Sequence, residues 1–191
     1  MLYLTLQSNG LNFLNIINIK FTTPNTLHPT PHTHIMTVIS DNHIQALKLI
    51  IPIFHSHNIT YRVTGGLAGN FYGSQWQLYD IDIEVAQSDI NKIVDLFQEY
   101  IVIDLMRLVD DEFDLLMLTL EIYGVDIEIN QAEDAFIFSK DATIRLDHDL
   151  SKFNLVSFEG LQIRVKPLSE IIAYKELLGR EDDLCDLRQL L

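Results

Sequence analysis

Two aspartates stand two positions apart inside the apolar segment YDIDIEV, residues 79–85. Apolar residues alternate with Asp80 and Asp82, which is the pattern of a β-strand with one buried face. Side chains at i and i+2 of a strand point to the same face, so the two carboxylates can bind one divalent cation or straddle a pair of cations. Without a cation, mutual repulsion and partial burial raise their pKa values. Because hard cations such as Mg²⁺ prefer oxygen ligands and bound phosphates, the pair indicates a phosphate-handling site.

A glycine pair, Gly65 and Gly66, follows the strand-like segment ITYRVT and begins GLAGNFYG, which suits a short helix or a loop. Backbone without Cβ atoms lets a triphosphate approach the amides at a helix N-terminus. The segment is not a P-loop or a dinucleotide fingerprint, because the sequence contains neither G-x-x-x-x-G-K-[ST] nor G-x-G. The glycines therefore suggest a phosphate-binding turn, and a plain turn is the alternative.

A second acid pair occurs in GVDIEIN, residues 124–130, where Asp126 and Glu128 are again two positions apart in an apolar strand-like segment. This pattern predicts two more carboxylates on one face of a strand. Solvated or edge-protecting charge is the alternative interpretation for each acid pair.

The glycine pair, the spacer from Leu67 to Tyr79 and the motif Asp80-Ile81-Asp82 together resemble the signature of the DNA polymerase beta superfamily of nucleotidyltransferases. The resemblance extends loosely over residues 58–191, and the spacer is at the long end of the family's usual range. It implies that the two acids hold Mg²⁺ against a nucleoside triphosphate and that a third acid on a neighbouring strand completes the site.

For that third acid the resemblance favours Asp126, because the family's third acid usually opens such a strand, and it leaves Glu128 as the alternative. Asp126 would then bind metal and act as the base that accepts the proton of the attacking hydroxyl. The closing segment PLSEIIAYKELLGREDDLCDLRQL also resembles the last helices of small bacterial members, among them antibiotic and toxin-antitoxin nucleotidyltransferases. This implies that Lys175 and Arg180 neutralise phosphate charge, whereas exposed helix pairs are the alternative.

The implied function is that of an enzyme, a Mg²⁺-dependent nucleotidyltransferase. It would transfer a nucleoside monophosphate from a nucleoside triphosphate, with ATP expected, to a hydroxyl of an unidentified small molecule. Two alternatives stay open: a toxin-type modifier of a protein or of transfer RNA, and a catalytically silent domain that binds a nucleotide or a partner. A homodimer is one way to supply the acceptor site.

Helical and strand-like segments alternate along the chain from residue 41 onward. This order predicts an α/β or α+β topology in which short connections make the later strands antiparallel. The resemblance narrows the fold class to α+β, with a nucleotidyltransferase-like mixed sheet flanked by helices and closed by C-terminal helices. Predicted helices are 41–51, 88–100 with Ser88 as cap, 167–179 and 180–191; predicted strands are 59–64, 79–85, 101–109, 113–123, 125–130, 142–146, 154–158 and 161–165.

The 191 residues suit one domain, which is expected to span 36–191 because Ser40 or Asp41 can cap a first amphipathic helix. Residues 1–35 lack periodicity, basic residues at the start and a cleavage site, so they are expected to be disordered or an over-extended reading frame that precedes Met36.

The net charge of −14 argues against broad binding to nucleic acid and is compatible with cationic partners. The single cysteine, Cys185, cannot form an intramolecular disulfide, and no apolar run is long enough to span a membrane. These features predict a soluble cytoplasmic protein.

Several other side chains with chemical potential receive a structural interpretation. His148 lacks a partner at metal-ligand spacing, and Arg62 needs no ligand. The aromatic residues of the spacer are assigned to the core, with a platform for stacking a base as the alternative: Phe71, Tyr72, Trp76 and Tyr79.

Overall fold

The computed structural model of the protein describes residues 21–22, 39–139 and 142–191. The strands of this part are β1 (Phe21–Thr22), β2 (Tyr61–Val63), β3 (Ile81–Val85), β4 (Ile101–Val109), β5 (Phe113–Ile122), β6 (Val125–Gln131), β7 (Ala135–Ser139), β8 (Ala142–Leu146), β9 (Asn154–Phe158) and β10 (Leu161–Val165). The helices are α1 (Asp41–Ser56), α2 (Gly65–Tyr72), α3 (Ile90–Leu96), α4 (Leu168–Leu178) and α5 (Glu181–Leu187), with short 3₁₀ turns at Gln98–Tyr100 and Arg188–Leu190.

The strands form one mixed sheet in the order β1-β9-β10-β2-β3-β6-β5-β7-β8, and β4 pairs with β5. β3 runs parallel to β6 and antiparallel to β2, while β4, β5 and β6 are joined by antiparallel pairings. The predicted α+β architecture with closing helices is therefore confirmed. The antiparallel pairing of the later strands follows from their short connections.

Alternation along the central strands separates an apolar face of the sheet from a charged one. On β3, Ile81 and Ile83 belong to the hydrophobic core, whereas Asp82 and Glu84 point to the opposite face. Helix α1 contacts β6 and β10, and its buried Phe54 packs edge-on against Tyr61 at a ring-centroid distance of 5.1 Å. The core thus fixes the strands that present charged residues on their other face.

Element boundaries differ from the predicted ones at three places. Helix α1 is capped by Ser40, whose hydroxyl accepts from the backbone N–H of His43, and it continues past the exposed Pro52 to Ser56. Helix α3 begins after Asp89 rather than after Ser88 and ends at Leu96, because the chain turns there into the 3₁₀ segment. Strand β7 was not predicted; it forms a short hairpin with β8 and pairs on its other side with β5, which is distant in sequence.

The prediction for residues 1–35 concerns a segment of which only Phe21 and Thr22 are described, as a strand paired with β9. It therefore stays a prediction, and its remainder lies outside the described residues. No helix in the described part of the chain combines the length and apolar character needed to cross a bilayer.

Candidate functional site

Three carboxylates converge where β3 and β6 run side by side. The parallel register places Asp82 directly opposite Glu128, and Asp80 lies two residues before Asp82 on the same face. One carboxylate oxygen from each of the three residues lies within 4.8 Å of the others, and all three side chains are half-buried. Adjacent parallel strands therefore bring together acids that are far apart in the sequence.

The third acid of this cluster is Glu128, whereas the resemblance favoured Asp126. Asp126 follows the Tyr123–Gly124 turn at the start of β6, where its side chain is exposed and its residue pairs with Glu121 of β5. The register aligns Asp82 with the residue two positions further along β6. Sequence pattern could not choose between the two acids, because both project from the same face and only strand register distinguishes them.

The electrostatics of the cluster follow from like charges held close together. Burial raises the pKa of Asp82 to about 7, and the charges of Asp80 and Glu128 add to the increase. Lys175 and the backbone N–H of Gly66, which donates to this carboxylate, act in the opposite direction. The pKa of Glu128 is also raised, first by burial and then by Asp80 and Asp126. The expected repulsion of the acids is therefore present, and an all-carboxylate donor set of this kind fits a hard divalent cation such as Mg²⁺.

Gly65 provides space for the Asp82 side chain. A Cβ built on Gly65 would lie 1.6 Å from Oδ2 of Asp82, which is far inside van der Waals contact, and the backbone there has a φ of +58°. The Thr64 amide also donates to the Asp82 carbonyl oxygen at 3.0 Å. The glycine therefore makes room for the Asp82 carboxylate at its observed position, a reason that the sequence pattern alone did not give. Its predicted contact with phosphate stays a prediction.

The acid cluster opens into a cleft of about 510 Å³. Its walls are formed by helix α2 and the loop that follows it, by the β4–β5 hairpin, and by helices α4 and α5. Both predicted cationic residues, Lys175 and Arg180, line it. Lys175 is paired with Asp183 of α5, and Arg180 donates to Glu112 at 3.0 Å. The structure therefore brings the acids, the glycine pair and the two cations to one cleft, while Asp126 stays outside the group of three acids.

A second charged cluster adjoins the acids and was missed by sequence reasoning. Glu84, two residues after Asp82 on the same face of β3, accepts from Arg62 Nε at 2.8 Å, from Lys166 Nζ at 2.7 Å and from His148 Nδ1 at 2.9 Å. Arg62 and Lys166 are almost completely buried. His148, for which the sequence predicted no partner at metal-ligand spacing, is thus a partner of Glu84 in this cluster. Charged residues at alternate positions of apolar strands, as in YRV and IDIEV, were the available sequence signal.

Comparison with solved structures identifies the architecture. The chain is similar to a candidate nucleotidyltransferase from Thermotoga maritima, with a TM-score of 0.67 and 24% identity, over 80% of this chain and 94% of that one. The chain has the nucleotidyltransferase fold. A second nucleotidyltransferase structure, ANT(2″)-Ia in complex with adenylyl-2″-tobramycin, is similar with a TM-score of 0.50 and 12% identity, over 75% of this chain and 86% of that one.

No protein-family model matches the chain, and the comparison with curated proteins finds no match. The nucleotidyltransferase fold is thus recognised through structure, and the acid triad of Asp80, Asp82 and Glu128 lies within it. The resemblance inferred from the glycine pair and the Asp-x-Asp motif is therefore confirmed at the level of the fold.

Proposed function

We propose that this chain is an enzyme that transfers a nucleoside monophosphate from a nucleoside triphosphate, ATP first among them, to a hydroxyl group of a small molecule. The observation that carries this proposal is the set of three carboxylates whose oxygens lie within 4.8 Å of one another in a nucleotidyltransferase fold. Burial, together with the repulsion between these close acids, raises the pKa of Asp82, so a divalent cation bound here would supply the missing positive charge.

In this proposal Asp80, Asp82 and Glu128 hold Mg²⁺, which when bound neutralises phosphate charge and orients the triphosphate. Lys175 and Arg180 line the same cleft and provide further positive charge for phosphate oxygens. Lys175 already lies close enough to Asp82 to lower its pKa. Its present partner Asp183 is replaceable by a phosphate oxygen, since both offer the same anionic acceptor.

Glu128 replaces Asp126 as the proposed base. Burial and the neighbouring acids raise its pKa above the usual range, which makes its carboxylate a stronger base, and its side chain is half-buried within the acid group. In the reaction the acceptor hydroxyl loses its proton to Glu128 while its oxygen forms a bond to the α-phosphorus. The bond from that phosphorus to the bridging oxygen breaks, and pyrophosphate leaves with the electron pair.

A cationic acceptor suits this cleft best. Acids outnumber cations along its lining, where Asp110 and Asp183 add to the three acids of the cluster and Lys175 and Arg180 oppose them. ANT(2″)-Ia, which shares the fold, was solved with adenylylated tobramycin. Electrostatic attraction to an acidic cleft raises the association rate of a positively charged small molecule.

The test is a mass-resolved transfer assay with the full chain, Mg²⁺ and each nucleoside triphosphate. Acceptors are aminoglycosides, lincosamides, transfer RNA and lysate proteins, so that the alternative acceptor classes give distinct products. We expect a small-molecule product heavier by one nucleoside monophosphate, and its loss in Asp82→Asn by about 10³-fold or more. Asp104→Asn, an exposed acid of β4 outside the cleft, is the matched control. Absence of both transfer and Mg²⁺-dependent nucleotide binding would refute the proposal and favour a silent domain.

A further inference from the structure

The loop that joins α2 to β3 exposes two aromatic side chains, although the sequence pattern assigned them to the core. Trp76 is 45% exposed and Tyr79 is 76% exposed, whereas Phe71 is buried as expected and Tyr72 is half-buried. Both exposed rings line the cleft that contains the acid triad. Aromatic residues carry a large apolar surface. Two of them exposed at the edge of one cleft therefore suggest a surface that binds a planar ring of a ligand.

The backbone around Trp76 is fixed by buried groups. The side-chain amide of Asn70, which is 1% exposed, donates to the carbonyl oxygens of Ser74 at 2.9 Å and of Trp76 at 3.0 Å. The Trp76 amide donates to the Ser74 hydroxyl at 3.3 Å, and Leu78 is buried on the other side. These hydrogen bonds hold the backbone that carries the indole, which lowers the conformational entropy that the loop loses when a ligand binds there.

This loop is continuous with the residues that would bind the triphosphate. Asn70 is five residues after Gly65 on α2, a distance of about 7.5 Å along the helix axis. Asp80 follows the loop directly as the first acid of the cluster. Because Trp76, the glycine pair and the acids line the same cleft, a nucleoside whose phosphates bind at the acids would have its base in the cleft that Trp76 lines. The β4–β5 hairpin provides a separate wall, with Leu115 and Met117, for an acceptor.

We propose that Trp76 is the stacking surface for the base of the nucleoside triphosphate, with Tyr79 extending it, a proposal that rests on the function proposed above. An aromatic face stacks on any base, so this contact would contribute affinity without strong selection among the four triphosphates. Specificity for one nucleotide would then depend on hydrogen bonds elsewhere in the cleft.

Trp76 is the single tryptophan of the sequence, so intrinsic fluorescence reports directly on this position. The full chain is titrated in Mg²⁺ with ATP, with CTP and with inorganic triphosphate, which offers the phosphates without a base. We expect ATP and CTP to quench the indole emission and inorganic triphosphate to leave it nearly unchanged. Equal responses to ATP and inorganic triphosphate, or ATP binding by calorimetry without any change in emission, would overturn the assignment.

Calorimetry on variants provides a second measurement that needs no fluorescence. Trp76→Ala should weaken ATP about 10-fold or more and leave the affinity for inorganic triphosphate unchanged, while Trp76→Phe keeps a ring and most of the affinity. Tyr123→Ala, an exposed aromatic outside the cleft, is the matched control. Equal weakening of both ligands by Trp76→Ala overturns the base contact alone. If neither ligand binds the unmodified chain, the proposed function fails and this inference fails with it.

Discussion

Asp82 and Glu84 are two residues apart on the same face of the same strand, yet their surroundings shift their pKa values in opposite directions. Burial and two neighbouring acids raise the pKa of Asp82 to about 7. Glu84 is also buried, but hydrogen bonding with His148 and the charges of Lys166 and Arg62 hold its pKa well below the usual range. Burial acts on both residues in the same direction, so the partners decide the outcome.

The comparison separates a structural acid from one suited to ligand binding. Glu84 is neutralised within the protein and connects β3 to β2 through Arg62 and to the start of α4 through Lys166. Among the described residues, the backbone amide of Gly66 and the charge of Lys175 oppose the neighbours of Asp82. The neutralised residue stabilises the fold, whereas under the proposed function the other gains its compensating charge from a bound cation. This difference can be tested from both sides.

The largest effect is expected at Glu84. Glu84→Gln removes the acid paired with the buried Lys166 and one of the two acids paired with the buried Arg62, the other being Glu170, so we expect a loss of about 3 kcal/mol or more in the free energy of unfolding. Chemical denaturation measures it. Glu121→Gln, at an exposed position of β5, should stay within about 0.5 kcal/mol of the unmodified protein. A loss no greater than that of the control would mean that Glu84 does not hold the cluster together.

The next effect concerns the pH dependence of the metal-free protein. The folded pKa of Asp82, about 7, is above its ordinary value of 3.8, so the folded state retains a proton that the unfolded chain has released. Its stabilising contribution is therefore complete below about pH 4 and lost as the pH rises through about 7. From about pH 5 to about pH 8 in chelator, we expect the unfolding free energy to fall by on the order of 2–4 kcal/mol.

Asp82→Asn should flatten this slope, because the amide does not ionise. Glu84 affects stability in the opposite direction and over a different pH range. Because its pKa is lowered in the folded state, its contribution to the free energy of unfolding is lost only as the pH falls below its ordinary value of 4.5. Mg²⁺ should stabilise the protein more at about pH 8 than at about pH 5, since protons compete with it. An equal slope in both proteins would show that another group causes the pH dependence.

A smaller effect is expected at the glycine that makes room for Asp82. Gly65→Ala places a Cβ against Oδ2 of Asp82 and strains a backbone with positive φ, so it should cost about 1–3 kcal/mol and weaken Mg²⁺ binding. Gly160→Ala is matched for positive φ, but its added Cβ meets no atom within 4 Å. Denaturation and calorimetric titration with Mg²⁺ are carried out on both variants. They separate the effect of the steric clash with Asp82 from the effect of backbone strain at positive φ. Equal Mg²⁺ affinities would argue against a role of Gly65 in positioning Asp82.

The smallest effect distinguishes the two acids of β6. Glu128→Gln should reduce Mg²⁺ affinity about 10-fold or more, or about 1.4 kcal/mol, because it removes one carboxylate of the cluster. Asp126→Asn should change it by less than about threefold, since that side chain acts on the cluster only through its charge on Glu128. Calorimetric titration of both variants with Mg²⁺ shows which of the two residues is the third acid. The reverse ranking would restore Asp126 as the third acid.

The sequence by itself determined the parts of the molecule that depend on local pattern. Alternating apolar residues identified the central strands, and the glycine pair with Asp80 and Asp82 indicated the fold that the structural comparison confirmed. The repulsion of the acids could also be predicted, because side chains at i and i+2 share a face whatever the rest of the fold does.

Tertiary structure alone decided which residues meet. The parallel register of β3 and β6 selected Glu128 over Asp126, and the same sheet brought Arg62, Glu84 and Lys166 together. Trp76 lies exposed at the cleft rather than in the core, in a loop whose backbone is hydrogen-bonded to the side chain of Asn70. Register and long-range packing depend on contacts between distant segments, so periodicity within one segment cannot specify them.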